Sequence, residues 1–511
     1  MTEAWAGDFD DRIGTEALEA RAAKGAAAVA ALGVGDGDPL AVVMRNDLAQ
    51  IEILRAAAFR GAVIVPINWH AAAEEAAAIL DDSGARVVAL HRDLIEPLRP
   101  ALAGRKLVAV APRPQLRAAY GIDDAAAGAA ADAPEWSDLV DAAEPAAERA
   151  PMRPQMRYTS GSTGRPKGVR RVASGPRRDY VEALRAIGTE MMRFRPGARF
   201  FTAAPIYHSA PSTLTNAALV APGVSTLLAP RFEPESFLAA VEREKITHVY
   251  LVPTMMSRLL KLPDETKATF DPSSVEFCVS TGSPWPHDLK AAMIDWWGPV
   301  FWESYGATEI GFMTLISSEE AMARPGSAGR MQLGATAMIL DAEGNELPPG
   351  EPGEIHVRMP IFGDFDYTND PGSRRAGEKR GHFSVGDVGW MDEEGYLFIT
   401  DRKKDMIITG GANVFPAEIE AVLIRAPFVR DVAVFGAPDP EFGEKIVAAI
   451  EPAEGWTPDA AEVSAWLEGK LAGFKRPRLI EFHEALPRED SGKIFKPRLR
   501  APHWEGSGRA I

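Results

Sequence analysis

A chain of 511 residues is too long for a single hydrophobic core, so at least two domains are expected. Its 46% hydrophobic and 25% charged residues are ordinary for a globular protein. The chain has 56 Lys and Arg residues and 72 Asp and Glu residues, so its formal charge is −16. This negative charge argues against nucleic acid or an anionic membrane as the main partner.

The cysteine content and the N-terminus bear on the compartment. The single cysteine, Cys278, cannot form an internal disulfide, and its apolar surroundings "VEFCVS" are typical of a buried strand. The acidic start "MTEAWAGDFDDRIG" lacks the apolar segment of a secretory signal. The sequence contains no run of about eighteen apolar residues, so no membrane span is expected. We therefore expect a cytoplasmic protein without integral membrane contact.

The first part of the chain alternates helix and strand patterns. Helical periodicity over 15–32 and 47–62 alternates with apolar strands at 40–44 and 63–68. This alternation predicts α/β units with parallel sheets. It resumes later in the chain, with helices at 177–193, 212–221, 234–244 and 287–297, and with strands near 200–204, 224–229, 247–252 and 275–280.

From about residue 326 the sequence changes character. Short strands alternate with turn signals such as "DAEGNELPPGEPG", which predicts a β-rich subdomain. A small mixed unit follows, with helices at 416–425 and 459–472 and strands at 430–436 and 446–450. The last ten residues, "PHWEGSGRAI", are predicted to be a frayed tail.

The stretch "YTSGSTGRPKGV" (158–169) has the composition of a phosphate-binding loop. Lys167 follows proline and precedes glycine, so the spacing excludes a Walker-A loop. Both flanks, "QMRY" and "GVRRV", favour short strands. The backbone N–H groups and hydroxyls between them can form an anion nest, and Lys167 adds a point charge. The alternative is a linker, which seldom carries such ordered glycines.

Three further stretches carry polar groups in turns. In "ESYGATEIG" (303–311), Tyr305 offers a ring to stack on a purine, Thr308 a hydroxyl for a phosphate, and Glu309 a carboxylate of the kind that holds Mg²⁺. Asp387 lies between glycines, as expected of a carboxylate that receives ribose hydroxyls. Near the C-terminus, Lys493 follows Ser-Gly in a turn, where a solvated basic surface is the alternative.

The order and spacing of these motifs resemble the adenylate-forming superfamily, the AMP-dependent synthetases and ligases. That group includes acyl-CoA synthetases, peptide-synthetase adenylation domains and beetle luciferases. The resemblance covers about residues 10–500 and rests on "YTSGSTGRPKGV", "YGATE", "GDVGWMDEEGYLFITDRKKDMIITGGANVFPAEIE" and "SGKIFK". Among the subfamilies, the chain is most similar to fatty-acyl and aryl-CoA ligases.

The resemblance implies an ATP site. Tyr305 would stack on adenine, Thr308 would contact the α-phosphate, and Glu309 would hold Mg²⁺. Asp387 and Arg402 would bind the ribose hydroxyls. The loop over the β- and γ-phosphates would comprise Thr159, Ser160, Gly161, Ser162, Thr163, Gly164 and Lys167.

The resemblance also assigns residues to the acid, to CoA and to a hinge. Lys493 would bridge the carboxylate and the α-phosphate, and Lys404 matches the hinge position. His208, in "PIYHSAP", would position the carboxylate or gate CoA entry, although a loop histidine with satisfied hydrogen bonds is the alternative. The CoA-binding residues would be Gly410, Gly411 and Asn413, and the acyl pocket would include Tyr207, Trp285 and Phe312.

The implied fold is α/β. A large N-terminal AMP-binding domain (1–401) would contain two α/β subdomains and a β-rich one, and a small mobile α+β domain (402–511) would follow. The implied activity is that of an AMP-forming acyl-CoA synthetase, whose substrates are an apolar or aromatic small-molecule carboxylic acid, ATP with Mg²⁺, and CoA. A homodimer is only a habit of the family.

Three rival functions stay open. A freestanding adenylation enzyme would transfer the acyl group to a carrier protein or amine. A luciferase-like oxygenase would consume oxygen or emit light. An inactive relative would lack catalytic residues, but all the matched positions are filled.

Overall fold

The computed structural model describes residues 3–128, 133–160, 166–172, 180–283, 285–368, 370, 372–403, 405–409, 412–488 and 494–505. The chain forms two compact units. The first unit comprises Met1–Ala323, Gly329–Thr336 and Arg358–Glu378. The second comprises Arg324–Ala328, Ala337–Val357 and Lys379–Ile511.

The first unit begins with a four-stranded parallel sheet. Two short strands, β1 (Trp5–Gly7) and β2 (Arg12–Gly14), precede it. The sheet itself consists of β3 (Pro39–Val43), β4 (Val63–Pro66), β5 (Val87–His91) and β6 (Lys106–Val110), in the order β4-β3-β5-β6. The helices are α1 (Thr15–Ala31), α2 (Leu48–Arg60), α3 (Ala73–Ser83), α4 (Ile95–Leu102), α5 (Pro114–Tyr120), α6 (Asp124–Ala127) and α7 (Trp136–Ala142). Leu40 and Val42 of β3 join one apolar cluster while Ala41 and Val43 join another, so both faces of the sheet are buried.

A hairpin and a long mixed sheet follow. The hairpin strands are β7 (Arg157–Ser160) and β8 (Pro166–Val172). The sheet strands are β9 (Arg199–Thr202), β10 (Ser225–Leu228), β11 (His248–Tyr250), β12 (Phe277–Ser280), β13 (Phe301–Glu303), β16 (Thr314–Ser317) and β17 (Ser327–Met331). Between β13 and β16 the chain forms a separate hairpin of β14 (Gly306–Ala307) and β15 (Gly311–Phe312). The helices are α8 (Tyr180–Ala186) with a π-helical turn (Ile187–Met191), α9 (Ser209–Val220), α10 (Pro234–Arg243), α11 (Pro253–Leu260), α12 (Asp264–Thr269), α13 (His287–Trp297) and α14 (Ser318–Ala323).

The strand order of the long sheet in the first unit is β2-β1-β10-β9-β11-β12-β13-β16-β17. Every pairing from β1 to β13 is parallel, because a helix connects successive strands. Phenylalanines of these strands and of α10 fill the core on both faces of this sheet: Phe200, Phe201, Phe237, Phe277 and Phe301. Cys278 of β12 is fully buried, and burial raises the pKa of its thiol, as expected of an inert core cysteine.

The chain then passes between the two units. Strands β18 (Thr336–Leu340) and β19 (Gly353–Arg358) contain unit boundaries. Strand β20 (Asp364–Tyr367) and helix α15 (Ser373–Ala376) belong to the first unit, where β20 pairs antiparallel with β8. The hairpin β7–β8 and β20 thus form a small three-stranded sheet.

The second unit contains two groups of paired strands. In the first, β18 and β19 continue into β22 (His382–Met391) and β23 (Tyr396–Arg402), with β21 (Glu378–Lys379) paired to β22. The second sheet has the order β25-β24-β27-β26, with β28 parallel to β27; its elements are β24 (Ile407–Thr409), β25 (Ala412–Val414), β26 (Val429–Asp439), β27 (Gly443–Pro452) and β28 (Leu479–Phe482), with helices α16 (Pro416–Leu423), α17 (Ala460–Leu467) and α18 (Lys496–Trp504).

The end of the chain differs from the prediction of a frayed tail. Helix α18 extends through Trp504, whose side chain is buried and whose indole N–H donates to the carbonyl of Gly436 at 2.9 Å. Burial of the large indole and its satisfied N–H explain why the helix persists to this residue. The prediction is therefore wrong for Pro502–Trp504, and residues 506–511 lie outside the described part.

The predicted α/β fold class is confirmed by these layers. The predicted boundary at 401/402 and the mobility of the C-terminal domain stay predictions. Within the described residues, no helix combines the length and apolar character needed to cross a bilayer.

Candidate active site

Loops at the carboxyl ends of neighbouring parallel strands carry most of the predicted site residues of the first unit. His208 follows β9, Trp285 follows β12, and Tyr305 follows β13. Since β9, β11, β12 and β13 are adjacent and parallel, the loops after them emerge at one edge of the sheet. Ligands of open α/β sheets bind at this edge.

The predicted phosphate loop joins two paired strands, as its flanks indicate. Thr159 of β7 lies opposite Lys167 of β8 in an antiparallel ladder. Since paired residues share a face and side chains alternate, Thr159 and Lys167 lie on one face and Tyr158 on the other. The predicted residues Gly161, Ser162, Thr163 and Gly164, and the side chain of Ser160, lie outside the described part.

Lys167 is held by a carboxylate of its own unit. Its Nζ lies 2.9 Å from Oδ2 of Asp370 and 5.3 Å from the ring centroid of Tyr367. The hydrogen bond from Lys167 lowers the pKa of Asp370. The pair is partly exposed, so phosphate oxygens can replace the carboxylate as the partner of the ammonium group.

Replacing Asp370 with asparagine is therefore expected to tighten ATP binding. The variant removes the anion that competes with phosphate for Lys167, and an exposed ion pair of this kind is worth up to about 1 kcal/mol, or about fivefold. We expect the KM for ATP to fall by up to about fivefold, with kcat nearly unchanged, in a pyrophosphate-release assay. A rise in KM would contradict this role. The control is Asp366→Asn, because Asp366 lies on the face of β20 opposite to that of Tyr367.

Thr308 and Glu309 lie in the tight turn of the β14–β15 hairpin. Gly311 adopts φ +76° and packs against Phe362, where any Cβ would collide with the ring. The Tyr305 N–H donates to Oγ1 of Thr314 at 2.9 Å, which fixes the start of the turn. The glycines of "YGATEIG" are thus needed to fold the turn that presents Thr308 and Glu309.

Two side chains of the three-stranded sheet contact this turn. Nη2 of Arg171 donates to the carbonyl of Thr308 at 3.3 Å, and the hydroxyl of Tyr367 donates to Oε1 of Glu309 at 3.0 Å. The guanidinium of Arg171 packs over the rings of Phe362 and Phe365, and burial lowers its pKa to about 10. Burial raises the pKa of Tyr367 well above its usual range, so this hydroxyl is a donor.

The donor set fits a magnesium ion that is shared with a substrate. Among the described residues, no group of three or more His, Cys, Asp or Glu side chains could hold a metal. Mg²⁺ in nucleotide enzymes, however, often takes only one or two carboxylates and completes its shell with phosphates and water. Tyr367 engages one oxygen of Glu309, and no other described side chain hydrogen-bonds to its Oε2. Glu309 can therefore offer Oε2 to such an ion.

The predicted acyl-pocket residues are all buried. Tyr207 precedes α9 and contacts the ring of His208, with a centroid distance of 4.3 Å. Trp285 packs edge-on against Phe301, and both Trp285 and Phe312 belong to the core cluster beneath the long sheet. Aromatic side chains line this end of the sheet, as expected near an apolar ligand, but their part in a pocket stays a prediction.

A buried ion pair beside Trp285 was not predicted. Lys290 of α13 pairs with Glu303 at the end of β13, and its Nζ lies 5.2 Å from the centroid of Trp285. Burial raises the pKa of Glu303, although Lys290 lowers it in part. Glu303 directly precedes "SYGATE", so the motif itself was the signal that could have identified it.

Lys290→Leu is expected to destabilise the protein in a pH-dependent way. Removing one partner of a buried pair costs about 3–5 kcal/mol because the other charge stays buried. Without Lys290 the pKa of Glu303 rises further, so Glu303 is charged at high pH and becomes neutral as the pH falls. Urea unfolding should show the full loss at pH 8 and a smaller loss at pH 5. Lys290→Leu/Glu303→Leu should recover stability, and equal losses at both pH values would contradict this.

The second unit holds the predicted ribose residues. Asp387 of β22 and Arg402 of β23 are partners in the antiparallel ladder, and Oδ1 of Asp387 lies 3.4 Å from Nε of Arg402. Asp387 is buried and Arg402 is exposed, so the arginine end of this pair is accessible to solvent. Within this unit, Lys403 next to the predicted hinge pairs with Glu354 at 3.0 Å.

Several predicted residues fall outside the described part: Lys404, Gly410, Gly411, Lys493 and the side chain of Asn413. Their roles stay predictions, as do those of all the other site residues. In the structure, Lys167 and Glu309 both contact Tyr367, and Asp387 pairs with Arg402. Tyr367, Asp370 and Arg171 were missed by the sequence interpretation.

Family models and relatives agree with this architecture. The model described as AMP-binding enzyme matches residues 4–363, and the model described as AMP-binding enzyme C-terminal domain matches residues 418–493. The chain is 35% identical to the feruloyl-CoA synthase of an Amycolatopsis species over 484 residues, which covers 94% of this chain and 92% of that protein. It is 31% identical to the fatty acid–[acyl-carrier-protein] ligase ScoC of Streptomyces coeruleorubidus, covering 95% and 90%.

A solved structure extends the likeness to three dimensions. The crystal structure of ATP-bound MatB from Rhodopseudomonas palustris superposes with a TM-score of 0.83 at 28% identity, and the match covers 99% of this chain and 97% of that one. The two family models together account for most of the chain, including the hairpin β7–β8 and the turn with Glu309.

Proposed function

The chain belongs to the AMP-binding enzyme family, and from that premise we propose that it is an AMP-forming acyl-CoA synthetase. Its substrates would be an apolar or aromatic carboxylic acid, ATP and CoA. The observation that carries this proposal is the convergence of Lys167 and Glu309 on Tyr367. An ammonium group over a tyrosine ring and a carboxylate at the hydroxyl of that tyrosine suit a nucleoside triphosphate whose metal ion needs only one protein ligand.

In the first half-reaction, a carboxylate oxygen of the acid attacks the α-phosphorus of ATP. An acyl-adenylate forms and pyrophosphate leaves. Negative charge on the phosphate oxygens makes preorganised donors and cations the main source of rate enhancement. Lys167 would hold the leaving pyrophosphate, Thr308 the α-phosphate, and Lys493 the attacking carboxylate. A magnesium ion held by Glu309 would neutralise part of the phosphate charge.

In the second half-reaction, the thiol of CoA attacks the acyl carbonyl carbon. The bond between that carbon and the bridging oxygen breaks, AMP leaves with this oxygen, which came from the acid, and the thiol proton is released to solvent. Adenylation is needed because a free carboxylate has a poor leaving group. Gly410, Gly411 and Asn413 would line the path of the thiol, and His208 would orient the acyl group.

The proposed acid is apolar or aromatic because the residues assigned to its pocket are aromatic and buried. Tyr207, Trp285 and Phe312 are each less than a tenth exposed. Such side chains favour burial of hydrocarbon or ring surface over binding of a small polar acid. The likeness to a feruloyl-CoA synthase and to a fatty-acid ligase supports the same range.

The second candidate is a ligase that passes the adenylate to a carrier protein or an amine. The likeness to ScoC favours it, since that protein is named for a carrier-protein acceptor. Both candidates share the first half-reaction and differ only in the acceptor.

A panel of carboxylic acids with ATP and Mg²⁺ tests the proposal. Pyrophosphate release that depends on one class of acid, followed by CoA-dependent release of AMP and formation of a thioester, is the expected result. Pyrophosphate release with no thioester on adding CoA would favour the second candidate. Absence of acid-dependent pyrophosphate release across fatty and aryl acids would contradict both.

A further inference from the structure

Tyr367 lies on strand β20 of the small three-stranded sheet, between two parts of the predicted ATP site, Lys167 and Glu309. In the β20–β8 ladder it is the partner of Val169, while Phe365 is the partner of Arg171. Lys167 precedes Val169 by two residues and therefore shares its face of the sheet. The side chains of Tyr367 and Lys167 thus lie on the face that bears Thr159.

The two ends of Tyr367 make different contacts. Its ring lies beneath the ammonium group of Lys167, with 5.3 Å from Nζ to the centroid, which is within cation–π range. Its hydroxyl donates to Oε1 of Glu309 at 3.0 Å. Glu309 comes from the β14–β15 turn, which is a different segment of the chain. Tyr367 is thus a physical link between the phosphate-loop lysine and the carboxylate of the turn.

The contact restricts what Glu309 can do. A glutamate in a partly exposed turn samples several rotamers, and each carboxylate oxygen can accept more than one hydrogen bond. With Oε1 tied to Tyr367, the carboxylate plane is fixed and Oε2 is the oxygen left to meet a cation. Fixed ligands bind a cation more tightly because less rotamer freedom is lost on binding.

We propose that Tyr367 is a positioning residue that orients the Glu309 carboxylate toward the metal ion of the metal–ATP complex. This inference rests on the proposed function, in which Glu309 is the magnesium ligand. Tyr367 does not touch a reacting atom; it acts through Glu309, and its ring supports the ammonium group of Lys167.

Tyr367→Phe is the direct test, because it keeps the ring beneath Lys167 and removes only the hydroxyl. A hydrogen bond to a charged group is worth enough to change affinity about tenfold. We expect the concentration of Mg²⁺ that gives half-maximal pyrophosphate release to rise about tenfold, with kcat at saturating Mg²⁺ changed by less than about threefold. Thioester formation from supplied acyl-adenylate should be unchanged.

The control variant is Tyr158→Phe. Tyr158 lies on the other face of the same small sheet, and its hydroxyl also donates to a carboxylate, that of Asp82. It loses the same kind of bond without touching Glu309. Its metal dependence should equal that of the wild type, and thermal melts of both variants should show that they fold.

Binding of Mn²⁺ gives a readout that does not depend on turnover. Electron paramagnetic resonance titration of the full chain with Mn²⁺ and a non-hydrolysable ATP analogue should show about tenfold weaker binding for Tyr367→Phe and no change for Tyr158→Phe. In a Glu309→Gln background, Tyr367→Phe should add no further loss, since the carboxylate that Tyr367 would orient toward the metal ion is gone.

The outcomes separate this inference from the proposed function. Equal Mn²⁺ affinity in the wild type and Tyr367→Phe, or equal losses in Tyr367→Phe and Tyr158→Phe, would overturn the positioning role. Absence of acid-dependent pyrophosphate release in the wild type would instead overturn the proposed function, and the Mn²⁺ titration would still decide whether Tyr367 orients Glu309.

Discussion

Lys493→Ala is expected to slow acyl-adenylate formation by about 10²–10³-fold and to leave thioester formation from supplied acyl-adenylate nearly intact. The lysine would stabilise the approach of one anion, the carboxylate, to another, the α-phosphate. Loss of one such contact in a transition state costs about 10²–10³ in rate. In the second half-reaction the carboxylate is already joined to the α-phosphate as a mixed anhydride, so Lys493 has no role there. Pyrophosphate release measures the first step, and CoA-dependent AMP release from synthetic acyl-adenylate measures the second.

The contrast between the two half-reactions is also a test of domain motion. Lys493 and the Gly410–Gly411 loop both belong to the predicted C-terminal domain but serve different steps, so that domain would rotate near Lys404 between them. Lys470→Ala, an exposed lysine in the same region, is the control and should keep both rates. If Lys493→Ala lost both half-reactions equally, its assigned role would be incorrect.

Glu309→Gln is expected to slow pyrophosphate release by about 10²-fold. Glutamine keeps the shape and can still accept the Tyr367 hydroxyl, but it lacks the charge that holds the metal ion against the phosphates. The rate should be measured over a wide range of Mg²⁺ at saturating ATP, because the charge loss should also weaken the response to Mg²⁺.

The matched control is Glu235→Gln, which removes an exposed carboxylate from the first turn of α10. It should behave as the wild type. A Glu309→Gln enzyme with the wild-type rate and the wild-type Mg²⁺ response would show that the metal is held elsewhere.

The sequence predicted the elements that present the site because the relevant signals are local. Alternating helical and apolar patterns predicted the parallel strands β9 to β12, and the loops after their carboxyl ends then had to share one edge. The polar stretch "ESYGATEIG" indicated a loop, and in the structure Gly311 adopts a left-handed conformation there. The strand flanks of the phosphate loop were likewise readable from short apolar runs.

The contacts of Tyr367, Asp370 and Arg171 could not be read from the sequence because they depend on strand pairing. "DFDYTNDPG" offers only turn signals, and nothing in it names β8 as its partner. Pairing at that register brings residue 367 to residue 309 and residue 370 to residue 167. The buried pair of Lys290 and Glu303 was missed for a similar reason, since a charged residue on a helix is usually exposed.

The C-terminal helix shows the opposite error. A stretch with proline, glycine and charges suggested a frayed end, yet a single buried indole holds Trp504 against β26. Family membership and the enzymatic nature of the chain were predicted from motif order and are confirmed. The individual roles of the site residues and the domain boundary stay predictions.

Transfer of oxygen from the acid to AMP is the measurement that tests the two-step reaction most directly. The acid selected by the panel, labelled with ¹⁸O in both carboxylate oxygens, would be turned over with ATP and CoA, and the products analysed by mass spectrometry. Attack of the carboxylate on the α-phosphorus, followed by thiolysis at the carbonyl carbon, predicts one ¹⁸O in each AMP, one in each thioester and none in pyrophosphate. Unlabelled AMP, or label in phosphate accompanied by ADP, would contradict adenylation.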